Sequence, residues 1–557
     1  MHATVLAAAP LSEFSPLFSR NGASKCTLEL GEGRSYYYIC FMKEFSISAV
    51  CLAAISLSGC GQKAPERPNI IFLMFDDLGY GDLGCYGQEL IETPNIDALA
   101  RQGIVFTDMY TACPLSAPSR CCIMTGQHSG HSQIRSNDER VPRPDGLQPD
   151  NSDWFFERMK EDPSFEGQWP MAPGTPTIAG MMRDAGYRTA MVGKWGLGGP
   201  GSGSTSNDMG FDYFYGFYCQ MLAHSYYPDY LWENDTKVLT GNEFMPIGRR
   251  LDPGADPYDI RSYDKFNQQH YSCDLMYERL ENWVTENAGT PFMLMWTTTV
   301  PHSTVQAPEE EVMYYVRKLG EEKTPITDGG WYYPVLYPHS AYAAMITHID
   351  TQLGRLVAKL KKLGVYDNTL IIITSDNGPA CNSNSPIEYF RSGGPFKCGK
   401  GWGKRSLQEG GIRMPFVVSW PGHVKPGRCD YIGQFTDLMP TFAELAGEEA
   451  PANDGISFVP SLRGGVQPQH DFLYWEFPGN GGLLAVRKGP WKGIVRHVKK
   501  GGTEMEVYNL DDDPRESTDL SAEHPDIVES MWDIIESSHL PVPSGNPNFE
   551  LNINYPQ

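Results

Sequence analysis

Apolar residues in this chain follow two patterns. Continuous apolar runs occur at NIIFLMF (69–75), YRTAMVG (187–193), PFMLMW (291–296), NTLIIITS (368–375) and MPFVVSW (414–420). Runs this short and unbroken suit parallel strands buried on both faces. Apolar residues at helical spacing fill TPTIAGMMRDAG, DLMYERLENWVTEN and residues 339–364, which predicts helices between the strands. Thr93-Pro94-Asn95 opens another helix that Gly103 closes, and IVFTDMY (104–110) reads as one further strand. Strands alternating with helices make the chain α/β. Residues 140–175, rich in Pro and Asp with few periodic apolar positions, read as surface loops. From about 471 the pattern changes to FLYWEF, LLAVRKGPWKGIV and MEVYNLD, antiparallel strands with turns, followed by a helix at 525–537. This predicts a large α/β domain at 68–465 and a smaller C-terminal α+β domain at 466–557.

The chain of 557 residues has room for one large and one smaller core, and its 41% hydrophobic content is ordinary for a soluble domain. A formal net charge of −23 excludes non-specific nucleic-acid binding. An anionic substrate would therefore need a locally basic pocket. Residues 42–60, MKEFSISAVCLAAISLSGC, carry a Lys, a short apolar run and Leu57-Ser58-Gly59-Cys60. They resemble a bacterial lipoprotein signal with its lipobox. The expectation is cleavage before Cys60, lipidation of that thiol, a tether at 61–67, and an exported protein that is periplasmic or associated with the outer membrane. Residues 1–41 have no signal character and read as an upstream extension, with Met42 the real start. Four of the 13 cysteines precede residue 61, which leaves nine, an odd number, so at least one is unpaired. No Cys/His spacing suggests zinc.

The candidate chemistry gathers at strand ends, where open α/β sheets bind ligands. The first run ends in Asp76-Asp77 and a later one in Asp376-Asn377. Two such strands can bring four hard oxygen ligands together, a set suited to Ca²⁺, with Mg²⁺ second, rather than zinc. Lys194 and His302 also end buried runs. Residues 111–126, TACPLSAPSRCCIMTG, place Ser116 just ahead of a helix in which Pro118 suits the first turn and Gly126 the end. Arg120 follows one turn on, so a hydroxyl, an anion-binding helix start and a guanidinium meet by local spacing. His128, His131 and Arg135 come next, and His128 and Arg135 are taken as substrate-binding candidates. The aromatic-rich segment 210–234 contributes Gln220 and His224, because rings and polar edges together suit a sugar.

Ser116-Ala117-Pro118-Ser119-Arg120 with Thr125-Gly126 resembles the serine variant of the sulfatase signature, and the likeness extends in order over nearly all of the chain after the signal. In that family the signature residue becomes formylglycine (3-oxoalanine). The resemblance implies an alkaline-phosphatase-like fold, a large mixed, mostly parallel sheet sandwiched by helices with a small C-terminal sheet domain. It assigns Asp76, Asp77, Asp376, Asn377 and residue 116 to a metal, usually calcium. It assigns Arg120, Lys194, His302 and Lys404 to the formylglycine and the sulfate. Lys404 is placed by the following Glu409-Gly410-Gly411-Ile412-Arg413, with Lys400 as the alternative. A serine-type site further implies a radical maturase as partner. Many members read Gly-Lys-Trp-His, where this chain has Gly196. That leaves open which group replaces the histidine, His128, His131 and His224 being the candidates.

The mechanism so implied is attack of the residue-116 hydrate on sulfur, a covalent sulfo-enzyme, and expulsion of sulfate by the second hydroxyl, with His302 protonating the leaving alcohol. The expected substrate is a sulfated carbohydrate, galactose or N-acetylgalactosamine sulfate, taken in an exo-acting pocket. Two other readings stay open. One is a phosphate or phosphonate ester hydrolase using unmodified Ser116. The other is a glycan-binding lipoprotein without catalysis.

Overall fold

The computed structural model describes residues 67–556 apart from 142, 143, 145, 383 and 384, together with three strands in the first 66 residues. Those strands, Leu17–Phe18, Ser24–Leu30 and Arg34–Cys40, pair antiparallel within a unit of their own. The lipobox stretch and Cys60 lie outside the described residues.

In the main unit, the apolar runs become the middle of a ten-stranded sheet. In chain order its strands are β1 (Asn69–Phe75), β2 (Ile104–Phe106), β3 (Arg188–Lys194), β4 (Tyr213–Phe217), β5 (Tyr230–Glu233), β6 (Thr236–Leu239), β7 (Phe292–Thr297), β8 (Thr369–Ser375), β9 (Phe416–Ser419) and β10 (Gly427–Cys429). They lie side by side as β6-β5-β4-β3-β7-β1-β8-β9-β2-β10. The central five, β4-β3-β7-β1-β8, are parallel, so their carboxyl ends share one edge. β9 runs antiparallel beside β8, and β5 and β6 form a hairpin at the far side.

Both faces of the central strands are covered. Ile71, Leu73 and Phe75 of β1 pack with α1 (Pro94–Gln102), α4 (Ser272–Asn287) and α5 (Pro338–Leu363). Ile70, Phe72 and Met74 pack with α2 (Ser116–Thr125), α3 (Ile178–Asp184) and α6 (Leu438–Ala446) on the other side. The two-residue side-chain period of a strand sends alternate residues to opposite cores, so a strand buried on both faces must be apolar throughout. The sequence shows that pattern.

The C-terminal strands β11 (Leu473–Phe477), β12 (Leu483–Lys488), β13 (Trp491–Arg496) and β14 (Met505–Asn509) form an antiparallel sheet in chain order. Helix α7 (Pro525–Ser538) covers one face through Met531 and Ile535. The other face sets Trp475, Leu483 and Ile494 against Tyr110, Cys113 and Leu115. The small sheet therefore buttresses the segment that carries Ser116. Buried ion pairs add to the joint, Lys492 to Glu409 at 2.7 Å and Arg135 to Glu476.

Three local expectations are corrected. IVFTDMY is two strands: Ile104–Phe106 joins the main sheet, while Met109–Tyr110 pairs with Gly433–Gln434. Asp108 forms ion pairs with Arg413 and Arg487 where the run divides. Residues 140–175 are not all loop. Helix Asp153–Glu161 buries Phe155, Phe156 and Met159, an apolar stripe of a single turn. Ser116 is the first helical residue rather than the one ahead of it, and Leu115 occupies the cap. Among the described residues the nine cysteines are unpaired, and no helix is long and apolar enough to cross a membrane.

Candidate active site

The carboxyl ends of β1 and β8 deliver Asp76-Asp77 and Asp376-Asn377 side by side, because Ser375 pairs with Phe75 in register and the Asp376 N–H continues the ladder to the Phe75 carbonyl at 2.9 Å. Asp77 adopts a left-handed backbone (φ 69°), and its N–H donates to Asp376 Oδ1 at 3.2 Å. A non-glycine residue in that region is uncommon, and the neighbouring ladder holds it there. Helix α2 brings Ser116 up to the same four residues. Its hydroxyl lies 3.3 Å from both Asp76 Oδ1 and Asn377 Oδ1. Thr111 and Ser119 fix the approach, both hydroxyls donating to the Asp376 carbonyl, at 2.7 and 2.6 Å.

Three cations close on this cluster. Arg120 donates to Asp376 Oδ2 at 2.8 Å and to the Lys194 carbonyl at 2.7 Å. Lys194, at the end of β3, donates to Asp76 Oδ2 at 2.5 Å. Lys404 donates to Asp77 Oδ1 at 2.6 Å and lies 3.4 Å from Ser116 Oγ. Lys400 is exposed, so Lys404 is the lysine of this site. His302 places Nε2 3.6 Å from Asp77 Oδ2, and its Nδ1 meets the Ser303 carbonyl at 2.5 Å. Asp76, Asp77, Ser116, Arg120, Lys194, Asp376 and Asn377 are all at most 3% exposed.

The charges are strongly coupled. Burial disfavours ionisation of Asp76, but Lys194, then His302, Arg120 and Lys404, outweigh it and hold that carboxyl well below the usual range. Burial raises Asp77 against the pull of Lys404, with the Asp76 charge adding to the rise. Burial and the Asp76 charge push Asp376 up to about 6, although Arg120 opposes them. Burial, then Lys404, pushes His302 down to about 3. Burial lowers Lys194 despite Asp76, whereas at Lys404 Asp77 and Asp76 overcome burial and raise it.

A divalent cation fits this cluster. Asp77 Oδ2 is buried without a hydrogen-bond partner, and three carboxylates and an amide oxygen converge with no sulfur among them. Above the cluster opens a cavity of about 340 Å³ whose lining includes Lys404, His302, His224, Gln220, Tyr332 and Arg405. The lining also includes Asn137, Glu139, Gln168 and Asn382, which the sequence did not single out. Only Asn137 lay near a motif, and its Oδ1 accepts the Ala117 N–H at 2.8 Å, steadying the start of α2.

His128 and Arg135 are not in this cavity, contrary to the expectation from sequence. His128 stacks on His131, meets the Tyr474 ring edge-on and accepts the Gly130 N–H, while His131 meets Asp454 at 2.9 Å. Arg135 is fully buried, with its guanidinium on Glu476 and on the carbonyls of Ser132, Gly130 and Leu540. Both therefore anchor the C-terminal sheet. Burial lowers the His128 ring to about 4, so it stays uncharged there.

The sulfatase family model matches residues 68–448, more than half of the chain. The chain belongs to the sulfatase family. It is a sulfuric ester hydrolase, and with that family go a formylglycine and a divalent metal. A second model, N-sulphoglucosamine sulphohydrolase, C-terminal, matches residues 399–539 of this sulfatase. The N-acetylgalactosamine-6-O-sulfatase of Bacteroides thetaiotaomicron is 27% identical over 89% of this chain and 99% of its own length. Human arylsulfatase A is 30% identical over 84% of this chain and 82% of its own. Among solved structures, Ps i-CgsB in complex with k-i-k-neocarrahexaose has a TM-score of 0.64 and 26% identity, covering 86% of this chain and 94% of that one.

Proposed function

We propose that this sulfatase removes O-sulfate from a terminal galactose or N-acetylgalactosamine of a sulfated glycan, using formylglycine at position 116 beside a bound calcium ion. One observation carries the reading: Ser116 Oγ sits within 3.4 Å of Asp76, Asn377 and Lys404, and Lys404 also lines a cavity with His302 and Tyr332 in its wall. The sugar assignment is supported by the galactosamine-specific relative and by the mixed aromatic and polar lining. Asp76, Asp77, Asp376 and Asn377 would hold the ion, an oxygen-only set that favours calcium. When bound, the ion supplies Lewis-acid polarisation and charge neutralisation at the oxygen of residue 116.

The protein groups divide the remaining work. A formylglycine at position 116 would supply, once hydrated, two hydroxyls, one to serve as nucleophile toward sulfur and one to release sulfate, where plain serine has a single hydroxyl. Arg120 is held by Asp376 and the Lys194 carbonyl, so its guanidinium cannot rotate away from the site. Lys194 and Lys404 flank it, and charge growing on the sulfuryl oxygens meets prepositioned donors in a dry site, roughly 3–4 kcal/mol for each such donor elsewhere. His302 stands ready for the leaving oxygen. With Nδ1–H on the Ser303 carbonyl, its Nε2 is the free position. Burial and Lys404 favour the neutral imidazole, and an anionic ester seated beside Lys404 would offset that repulsion and favour the imidazolium. The sequence at 42–60 supports export as a lipoprotein anchored through Cys60, and the serine at 116 supports a radical maturase as its partner.

The test is co-expression with such a maturase. Mass spectrometry of the residue-116 peptide is expected to show about 2 Da less than serine, from loss of two hydrogens. Turnover of galactose or N-acetylgalactosamine sulfates should accompany that shift, and Ser116→Ala should abolish it with folding intact. Full activity in the alanine variant, or hydrolysis of phosphate monoesters alone, overturns the reading.

A further inference from the structure

The chain departs from the common Gly-Lys-Trp-His at Gly196, and the structure shows what fills the room. After β3 ends at Lys194, the Trp195 and Gly196 N–H groups donate to the Phe217 and Tyr218 carbonyls at 2.9 and 3.3 Å. This pairing brings Gly196 against the segment that follows β4. A Cβ on Gly196 would lie 2.4 Å from Gln220 Nε2 and about 3 Å from its Cγ and Cδ, and Gly196 has φ +74°. The Gln220 carboxamide thus occupies the space a side chain at 196 would claim.

Gln220 is only 5% exposed, yet its Nε2 has no hydrogen-bond partner, and the residue lines the same cavity as Lys404 and His302. Its own N–H is pinned by Gln168 Oε1 at 2.8 Å. A buried donor left unsatisfied is costly, and on a residue that lines a cavity a ligand acceptor is the partner that would relieve it. Four residues on, across a tight turn, His224 lines the same cavity, stacks on His302 at 4.8 Å, and also keeps a buried nitrogen, Nδ1, without a partner. The cations needed by a sulfate are already supplied by Arg120, Lys194 and Lys404. A neutral carboxamide, with donor and acceptor on one head, matches a hydroxyl, which also gives and takes one hydrogen bond.

We propose that Gln220, seated in the space left by Gly196, is the group that reads the sugar: its carboxamide hydrogen-bonds a hydroxyl of the residue that carries the sulfate, with His224 on the same turn as second partner. This rests on the carbohydrate reading above. It makes Gly196 and Gln220 one unit, because any side chain at 196 displaces the carboxamide.

The experiment measures matured enzyme with N-acetylgalactosamine 6-sulfate and galactose 6-sulfate, and inhibition by inorganic sulfate. Gln220→Ala is expected to lower kcat/KM on the better sugar roughly 30-fold, the scale of one buried hydrogen bond, while the inhibition constant of sulfate moves less than about threefold. Gly196→Ala is expected to reproduce that loss, and the double variant to be no worse than Gly196→Ala alone. Gln220→Met, which keeps the volume and removes the amide, gives the same test should the alanine variant fold poorly. A loss on the sugar below about threefold, an equal weakening of sulfate inhibition, or multiplying effects of the two substitutions would each overturn the proposal. Sugar turnover untouched by Gln220 variants sinks this inference alone. If wild type hydrolyses an aryl sulfate but no sulfated sugar, the glycan reading falls and this one with it.

Discussion

Replacing Arg135 separates a structural anchor from a substrate ligand. In Arg135→Met the Glu476 carboxylate, fully buried, loses its guanidinium and keeps only the Tyr474 hydroxyl at 2.9 Å and His539 Nδ1 at 2.8 Å. The Gly130, Leu540 and Ser132 carbonyls lose donors at 2.8, 2.9 and 3.1 Å. Breaking a buried ion pair from one side costs about 3–5 kcal/mol. The two remaining partners of Glu476 pull toward the lower end, and unsatisfied carbonyls add about 1 kcal/mol each where water cannot reach them, so about 4 kcal/mol is expected. Adding Glu476→Gln removes the stranded charge and should recover all but about 1–2 kcal/mol. Urea unfolding followed by tryptophan fluorescence measures both, because Trp475 lies beside the joint. Steady-state kinetics at a temperature where both variants stay folded should give KM within about twofold of wild type. A loss under about 1 kcal/mol, or a raised KM at unchanged stability, would refute the anchoring argument and return Arg135 to the substrate.

Two further outcomes follow from the geometry. His348 bonds Glu311 through Nδ1 at 2.8 Å and Asp274 through Nε2 at 3.0 Å, and these carboxylates overcome burial to raise it to about 9. A raised histidine stabilises the fold fully below its unfolded value near 6.5, and that contribution is lost as pH rises through about 9. With both acids more than a third exposed, wild type should exceed His348→Gln by about 1–2 kcal/mol at pH 6, narrowing to nothing near pH 10; a gap constant across that range in paired urea melts contradicts the assignment. Removing divalent ions with a chelator should lower both activity and melting temperature, since an ion binding only the folded state at a thousand times its Kd stabilises by about 4 kcal/mol; calcium should restore both, and an unshifted melting curve argues against an ion among Asp76, Asp77, Asp376 and Asn377.

Much of the site was legible in the sequence because strand ends are local events. A short, continuously apolar run suits a strand buried on both faces, and Asp76, Lys194, His302 and Asp376 each lie at or soon after the end of such a run. The spacing of Ser116, Pro118 and Arg120 is likewise a property of one helical turn. Only the tertiary structure decided the rest. The adjacency of β1 and β8, which makes two acidic dipeptides into one cluster, is a matter of sheet order and register. His128 and Arg135 lie close to the signature in sequence, yet they face the C-terminal sheet because Glu476 and Asp454 arrive from distant segments to receive them. Gly196 read as a missing histidine, and only the packing of the segment after β4 showed Gln220 in its place. Apolar periodicity is set by each residue's own environment, whereas partners are set by which elements pack together, and no local pattern encodes that choice.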